Sequence, residues 1–474
     1  MELENIIYQL KTLGIRSVSD DTRYLEANDA FICRQGQNYH GQDFVIEAIL
    51  KGAKAIISEI PIDTITVPVI ICNNIEKHFP NILIHIYGRP WERIKLIGIT
   101  GTDGKTTTAT ILQYLINHFE PCGYIGTNGI SFFQIKENST YTTLPLCLLM
   151  KTLAKMANAG IKYCTMEASS EGLINNRLEN IIFHSAIFTN LTHEHLDTHI
   201  NMENYFQAKL RLFSLLDPLG FLITNKDCPY GQLIYYPQLF TFSINSISDY
   251  QAINIKQFEK GISFDLIMSN KIIKDIKINM IGKYNIYNVL AAIICAYKCN
   301  FPINTIIRAL ETIPKIPGRL QEITYNENYK VFIDFAHTPN ALRELLMSLK
   351  KQDSKMTVVL GAAGEKDKTK RPDMGKVACD IADHVIFTSE DPRKEKPENI
   401  IREMTSKITS NNYEIILNRK FAINYAIASA KSNDIIVITG KGNDNYFEDN
   451  NNIYPYSDIL EAKLALKKRK QKRH

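Results

Sequence analysis

The chain has 474 residues, a formal net charge of +5, 45 % hydrophobic and 22 % charged residues. That length exceeds one ordinary core and calls for about three domains, and the composition is that of a globular protein. The small charge, with no basic stripe carrying interleaved aromatics, gives nucleic-acid binding no support, and no apolar run nears the length of a membrane span.

The opening MELENIIYQL is acidic and lacks the basic start and apolar core of a secretion signal. Nine cysteines without a CxxC pair fit reduced thiols in a cytoplasmic protein. Strand-like runs Asp29–Cys33, Ala55–Ser58 and Val69–Cys72 alternate with a helix-like Phe44–Lys51. They predict a small α/β domain over 1–90, closed by the Gly and Pro near Tyr87–Pro90. A second domain, 91–317, carries apolar strands at Leu96–Thr100, Tyr163–Glu167, Ser185–Asn190 and Gly220–Asn225, then a helix at Asn285–Cys299. Strand and helix alternating in this way read as a P-loop-type, doubly wound, mostly parallel sheet. After the linker Pro314–Gly318, strands at Val331–Phe335, Met356–Leu360, His384–Thr388 and Ile435–Thr439 predict a Rossmann-like third domain, 318–474. The overall class is α/β in three domains. The basic tail from Lys467 to His474 reads as a frayed, solvated end.

The most informative stretch is IKLIGITGTDGKTTT, from Ile94 to Thr108. An apolar strand feeding the glycine-rich turn Gly101-Thr102-Asp103-Gly104 and then a helix gathers backbone N–H groups at a helix N-terminus, which is a polyphosphate site. Lys105 supplies charge to the terminal phosphates, Thr106 a hydroxyl to magnesium, and Thr107 completes the first turn. Ile99 stands where a strict Walker pattern has glycine, so the loop is a variant. Glu167 closes an apolar strand, at the end that faces the ligand crevice in open α/β sheets, where a carboxylate can hold magnesium or simply face solvent. The next strand ends in THEHLD, in which two histidines and two carboxylates could gather around a cation, His195 being the best candidate. Lys209 lies in YFQAKLRLF with aromatics four residues to either side. On its own that pattern describes a snorkelling lysine.

Taken together, thirteen motifs in register resemble the Mur ligases of peptidoglycan synthesis, and within them the MurE-type group that adds a diamino acid. They include DDTR, HGQDF, GTDGKTTT, TTLP, MEASSEGL, FTNLTHEHLD, YFQAKLRLF, GKYNIYN, PGRLQ, DFAHTPNAL, GEKDKTKRPDMG, SEDPR and GKGND. The resemblance implies an ATP-dependent ligase. It implies that Lys105 and Thr106 hold ATP and Mg2+, with Glu167 and His195 as further magnesium ligands. Lys209 falls at the position that is N-carboxylated in this family, so its carbamate would help to hold a second magnesium. Asn285 would face the adenine, and Arg319 and Asp334 the ribose and phosphates. Thr22, Thr142, Thr143, Ser169, Asn175 and Arg177 match positions that bind a UDP-N-acetylmuramoyl dipeptide. Arg371, Glu390, Asp391, Arg393, Gly440 and Asp444 match the pocket for the diamino acid. The implied reaction joins the D-Glu γ-carboxylate to that amino acid through an acyl phosphate, in a monomer without nucleic-acid or membrane partners.

Several residues depart from the family pattern. Glu171 stands where histidine is usual, Leu144 and Pro145 alter the TTPD loop, and Asn443 and Asp444 replace His and Glu after GKG. Arg393 favours meso-diaminopimelate over L-lysine, because a guanidinium can clamp a distal carboxylate bidentately. Asp391, where asparagine is usual, works against that preference by repelling the same carboxylate, and Arg371 offers itself as a second partner. Three alternatives remain: an amide ligase for a non-muramoyl acceptor, a P-loop ATPase switch, and a nucleotide-binding scaffold without turnover.

Overall fold

The computed structural model describes residues 2–36, 39–63, 66–269, 271–324 and 327–471. These form two compact units: Met1–Gly98 with Phe119–Ala186 and Arg211–Gly220, and Ile99–His118 with Ile187–Leu210 and Phe221–His474.

The first unit begins with a four-stranded parallel sheet in the order Val18–Ser19, Ala30–Ile32, Ala55–Ser58, Val69–Ile71. The two middle strands are buried throughout, as a sheet covered on both faces requires. The predicted helix at Phe44–Lys51 is a short 3-10 turn, Gly41–Phe44, followed by a helix over Val45–Leu50. Helix Ile75–Tyr87 starts at Asn74, whose side chain accepts from the Lys77 N–H at 2.9 Å, and ends at Gly88, where φ is 71°. Further on, Cys122–Gly126 pairs in parallel with Tyr163–Glu167 and antiparallel with Gly129–Phe132, which in turn pairs with Ile135–Glu137.

In the second unit, helices Lys105–Ile116 and Tyr284–Lys298 pack side by side. The latter lies one residue from its expected bounds and is buried at eleven of its positions, so it serves as a core helix. Residues 222–225 pair in parallel with Leu239–Ser243, which pairs in parallel with the start of Tyr250–Phe258. An antiparallel meander of Tyr250–Phe258, Gly261–Met268 and Lys271–Ile278 follows. Sequence reading named no element between Asn225 and Asn285, and the meander's last strand explains why: KIIKDIKI exposes most of its residues and has no apolar run.

The last sheet runs Gln321–Glu322, Lys330–Ile333, Ile435–Ile438, Met356–Leu360, His384–Phe387, Tyr413–Ile415, parallel except for the first strand. Separate apolar cores lie on its two faces, one built around Leu342, Leu346, Met374 and Met404, the other around Ile423, Ile427, Ala462 and Leu466. The Rossmann-like expectation for this region describes it well.

The tail corrects an expectation. Helix Asp458–Gln471 carries the chain through most of the basic stretch, with Asp458 and Glu461 in its first turn and Lys468, Arg469 and Lys470 in its last. Charges so placed complement the helix dipole. Ala462, Ala465 and Leu466 anchor it, Lys470 reaches Glu327 at 2.7 Å, and Arg469 donates to the carbonyls of Ile427 and Ala430. The end of the predicted frayed tail, residues 472–474, lies outside the described residues.

Asp458 itself is fully buried and takes Arg419 bidentately, Nε at 2.9 Å and Nη2 at 2.6 Å, while Nη2 also donates to the Thr439 carbonyl at 2.7 Å. Removing one partner strands a buried charge. We expect Asp458→Ala to destabilise by about 3–5 kcal/mol, read as a lower urea midpoint than for the exposed-site control Asp380→Ala.

Candidate active site

The phosphate loop is set by backbone geometry. Gly101 and Gly104 have φ of 146° and 85°, and a Cβ on Gly101 would strike the Thr189 hydroxyl and the Asn190 backbone. The loop is pinned from the neighbouring strand end: the Asp103 N–H donates to Asn190 Oδ1 at 2.9 Å, Thr189 Oγ1 to the Asp103 carbonyl at 2.7 Å, and the Thr192 N–H to Thr102 Oγ1 at 3.0 Å. Lys105 Nζ curls back to the carbonyls of Gly101 and Thr102 at 2.9 and 2.8 Å. Thr106 and Thr107 are buried in the first turn of the twelve-residue helix that follows.

Lys209 is 1 % exposed; its Nζ donates to the Gly101 carbonyl at 2.8 Å and lies 4.4 Å from the centre of the Tyr205 ring. Burial, then the neighbouring Lys105, pushes its pKa well below the usual lysine range. That favours a neutral amine, the form that reacts with carbon dioxide, and a snorkelling lysine does not describe it. Burial, then Lys209 and Lys105, likewise lowers His195 well below the usual histidine range, favouring the neutral imidazole that ligates metals.

The other members of the THEHLD cluster do not join a cation site. Glu194 is bound by Lys370 at 2.8 and 3.1 Å, His193 Nε2 lies 2.8 Å from Thr369 Oγ1, and Asp197 is exposed. Among the described residues no three His, Cys, Asp or Glu side chains gather as a metal-binding group. His195 lies beside the Tyr205 ring, 5.8 Å between ring centres, and within electrostatic reach of Lys209.

Arg319 reaches the first turn after the loop, Asp334 lies within electrostatic reach of Asp103, and Asn285 bonds Asn288, the neighbour of Gly104. Arg319 Nη2 donates to Thr106 Oγ1 at 2.9 Å and its guanidinium lies 4.6 Å from the centre of the Phe335 ring. Asp334 accepts from the N–H groups of Leu320 at 2.6 Å and Ala336 at 2.8 Å. Asn285 bonds the Ile281 carbonyl at 2.8 Å and Asn288 at 3.1 Å. Sequence reading missed His337, one residue before the cap Thr338 and driven by desolvation down to about 3.

The residues expected around the diamino acid divide. Arg371 is fully buried and held by Glu395 at 3.0 Å, by Glu403 at 2.7 Å and by the Ala363 carbonyl at 2.9 Å. It is committed to its own chain, so the geometry corrects its reading as a second clamp for a substrate carboxylate. Arg393 uses Nε on Glu448 at 2.9 Å and Nη1 on the Gly364 carbonyl at 2.7 Å, and keeps 18 % side-chain exposure. Asp391 carries its own counter-ion: Lys441 Nζ is 2.5 Å from Oδ2, and the Glu448 N–H donates to Oδ1 at 2.9 Å. Its charge is neutralised where sequence reasoning had it repelling a ligand carboxylate. Gly440, at φ 104°, lies against Glu390, whose buried Oε2 lacks a hydrogen-bond partner. Burial lifts Asp444 to about 6.

In the first unit, Glu167 is fully buried; Oε1 accepts from Tyr124 at 2.6 Å and from the Thr127 N–H at 3.0 Å. Thr142 Oγ1 lies 3.1 Å from Thr127 Oγ1, and Thr143 Oγ1 donates to the Glu167 carbonyl at 2.9 Å and lies 3.0 Å from Ser169 Oγ. Ser169 caps helix Ser170–Ile174, and Asn175 ends it. Arg177 donates to the Thr143 carbonyl at 3.0 Å and pairs with Glu171 at 3.3 Å, so the departing residue has a cationic partner. The Thr22 carbonyl accepts from Lys51 at 3.0 Å.

A nucleotide-cradling loop, a buried lysine beside it and a Rossmann-like C-terminal part define an ATP-dependent ligase. Residues 99–296 match the Mur ligase middle domain and residues 318–442 the Mur ligase, glutamate ligase domain. The chain belongs to the Mur ligase family. It is 36 % identical over 471 residues to the UDP-N-acetylmuramoyl-L-alanyl-D-glutamate–2,6-diaminopimelate ligase of Clostridium perfringens, covering 95 % of this chain and 96 % of that protein. To the protein of the same name from Bacillus licheniformis it is 35 % identical over 463 residues, covering 95 % and 94 %. A solved structure of a diaminopimelate ligase of that name aligns over 97 % of this chain and 96 % of that chain, with a TM-score of 0.61 at 28 % identity. The fold is also that of the MurF ligase of Thermotoga maritima solved with ADP, with a TM-score of 0.72 at 17 % identity over 98 % of this chain and 99 % of that one.

Two outcomes follow from this geometry. Gly101→Ala is expected to weaken binding of a non-hydrolysable ATP analogue by about tenfold or more, a loss of about 1.4 kcal/mol, and to lower the urea midpoint as well, because its Cβ strikes Thr189 and Asn190; calorimetric titration of the folded variant reads the binding. Glu390 is held by burial at about 7, with Arg419 and Lys441 opposing. Its folded pKa is raised, so stability falls as pH rises from the unfolded value of about 4.3 through about 7. The thermal midpoint of Glu390→Gln relative to the parent is therefore expected to improve from about pH 5 to about pH 8.

Proposed function

We propose that this chain adds 2,6-diaminopimelate, in its meso form, to the D-Glu γ-carboxylate of UDP-N-acetylmuramoyl-L-Ala-D-Glu at the expense of ATP. The observation that carries the reading is similarity along nearly the whole chain to proteins named for that reaction. Arg393 supports it, as a partly exposed guanidinium next to a carboxylate that Lys441 has already neutralised. The division into 1–90, 91–317 and 318–474 belongs to the same reading, with the UDP-sugar on the first part, ATP on the second and the diamino acid on the third. So do a cytoplasmic, monomeric protein and the absence of nucleic-acid or membrane partners. Among the described residues no helix is long and apolar enough to cross a membrane.

The loop Gly101–Thr107 binds the ATP phosphates, Lys105 moves from its own loop carbonyls to the terminal phosphate, and Arg319 and Asp334 hold the ribose side, with Asn285 at the base. The acceptor lies along Thr22, Thr142, Thr143, Ser169, Asn175 and Arg177. Its γ-carboxylate attacks the terminal phosphorus, ADP leaves, and an acyl phosphate remains. The α-amine of the diamino acid, held by Arg393, Asp391, Glu390, Gly440 and Asp444, attacks the acyl carbon; phosphate departs and the amine gives up a proton. Within the second unit the Thr106 hydroxyl, a neutral His195 and Lys209, whose depressed pKa suits conversion to a carbamate, would hold Mg2+; the resemblance adds the Glu167 carboxylate as a further ligand. When bound, the metal neutralises charge building on the transferred phosphoryl group. Excluding water preserves the acyl phosphate.

The test supplies UDP-N-acetylmuramoyl-L-Ala-D-Glu and Mg-ATP with meso-diaminopimelate, L-lysine or L-ornithine in turn and weighs the products. A tripeptide with diaminopimelate alone is expected; a lysine adduct alone would overturn the amino-acid assignment, and phosphate release without any adduct would overturn the acceptor. Arg393→Ala is expected to raise the KM for diaminopimelate by about 10-fold to 100-fold with little effect on ATP. Lys209→Met is expected to lower kcat by about 100-fold and to abolish retention of labelled carbon dioxide by the protein.

A further inference from the structure

His195 has a main-chain φ of 59°, the left-handed region that non-glycine residues occupy only when their surroundings hold them there. Besides the hydrogen bonds of its own turn, in which the His195 carbonyl accepts from the Thr198 and His199 N–H groups, side chains of the loop 364–371 grip it on both sides. On the amino side of His195, Thr369 Oγ1 meets His193 Nε2 at 2.8 Å, and Lys370 Nζ binds both oxygens of Glu194 at 2.8 and 3.1 Å. On the carboxyl side, Asp367 Oδ2 accepts the Leu196 N–H at 3.1 Å. The Asp367 carboxylate is itself fixed, with Oδ1 accepting from the Thr369 N–H at 2.9 Å and from its hydroxyl at 2.5 Å.

The Glu194–Lys370 pair is buried, its side chains 4 % and 7 % exposed. A buried ion pair gains little net stability over apolar residues of the same volume, and its strength is directional. The other edge of the loop is tied to the region around Arg393: Arg393 Nη1 donates to the Gly364 carbonyl at 2.7 Å, the Glu365 N–H donates to Glu395 at 2.5 Å, and Arg371 pairs with Glu395 at 3.0 Å. Residues 364–371 thus stand between the amino-acid residues and the turn that carries His195.

We propose that Glu194 and Lys370 are a positioning pair: they lock the 193–196 turn to the 364–371 loop, so that His195 is presented correctly only while the C-terminal sheet is docked on the nucleotide-binding part of the same unit. Neither residue touches substrate in this assignment. It rests on the proposed role of His195 in the ligase reaction. Through Gly364, engagement of Arg393 by the diamino acid bears on the same loop, which ties the arrival of the amino acid to the geometry of the nucleotide site.

The experiment compares the full-length parent with Lys370→Met, Glu194→Gln, Lys370→Arg and the exchange Glu194→Lys with Lys370→Glu. Hydrogen exchange across residues 193–199 is followed without nucleotide, beside tripeptide synthesis. In Lys370→Met and Glu194→Gln, exchange at the Leu196 amide and its neighbours is expected to quicken by about tenfold or more, with the remainder of the chain unchanged. The kcat is expected to fall by about tenfold or more, with KM for the acceptor within about threefold. Lys370→Arg is expected to keep both near parental values, and the exchanged pair to recover part of each. Parental exchange at 193–199 in Lys370→Met, or a loss of kcat without faster exchange there, overturns the proposal. Should Lys370→Met fail to fold, the exchanged pair and Lys370→Arg decide: an equal loss in both overturns it. A parent that makes no tripeptide refutes the ligase reading, while the exchange measurements still decide whether the pair holds the turn.

Discussion

The nucleotide-binding part depends on an excess of positive charge held away from water. Lys105 and Lys209 converge on one carbonyl, that of Gly101, at 2.9 and 2.8 Å. Arg319 reaches the Thr106 hydroxyl, and His195 and His337 lie within the electrostatic reach of these cations. Burial and mutual repulsion drive Lys209, His195 and His337 in the same direction, towards their neutral forms. Such an arrangement is costly in isolation and becomes favourable when anions enter. A polyphosphate satisfies it, and a carbamate on Lys209 would convert one of the repelling cations into an anion at the place where repulsion is greatest. The same desolvation that disfavours the ammonium exposes the lone pair needed for that conversion.

The C-terminal sheet solves the opposite problem. Asp391 and Asp458 each meet a dedicated cation, Lys441 at 2.5 Å and Arg419 at 2.6 Å, and Lys370 takes Glu194 of the nucleotide-binding part at 2.8 Å. Charges paired so closely are insulated from a ligand and serve as fixed geometry. Glu390 and Asp444 are the exceptions: burial raises both, to about 7 and about 6, without a direct ion pair. They flank Gly440 and Lys441 and leave acceptor capacity in a region otherwise saturated, which is where an ammonium group is best accommodated.

How much of this was legible in sequence follows from the range over which each feature is determined. The loop GTDGKTTT could be read because its conformation demands glycine at Gly101 and Gly104 locally, and the strands of the C-terminal sheet because they are short apolar runs between turns. THEHLD misled because closeness in sequence is not closeness in direction: the left-handed turn at His195 sends Glu194 towards Lys370, 176 positions away. Arg371 misled likewise, since its partners Glu395 and Glu403 lie on segments that only the fold brings together. The snorkelling reading of Lys209 failed because helical periodicity reports an apolar neighbourhood and not the absence of a path to water.

The departures from the family pattern take on a common meaning once their partners are known. Asp391 brings a second negative charge beside Glu390, and Lys441 at 2.5 Å cancels it. Glu171 brings a carboxylate to the region of the expected acceptor, and Arg177, itself stacked 5.2 Å from the centre of the Tyr141 ring, receives it at 3.3 Å. The two compensations differ in kind. Asp391 and Lys441 are both buried, so their pairing is a fixed part of the fold. Glu171 is 47 % exposed at its side chain, where a single ion pair is worth little. A ligand carboxylate or phosphate can therefore displace Glu171 from Arg177 at small cost, which leaves this departure compatible with an anion at Arg177.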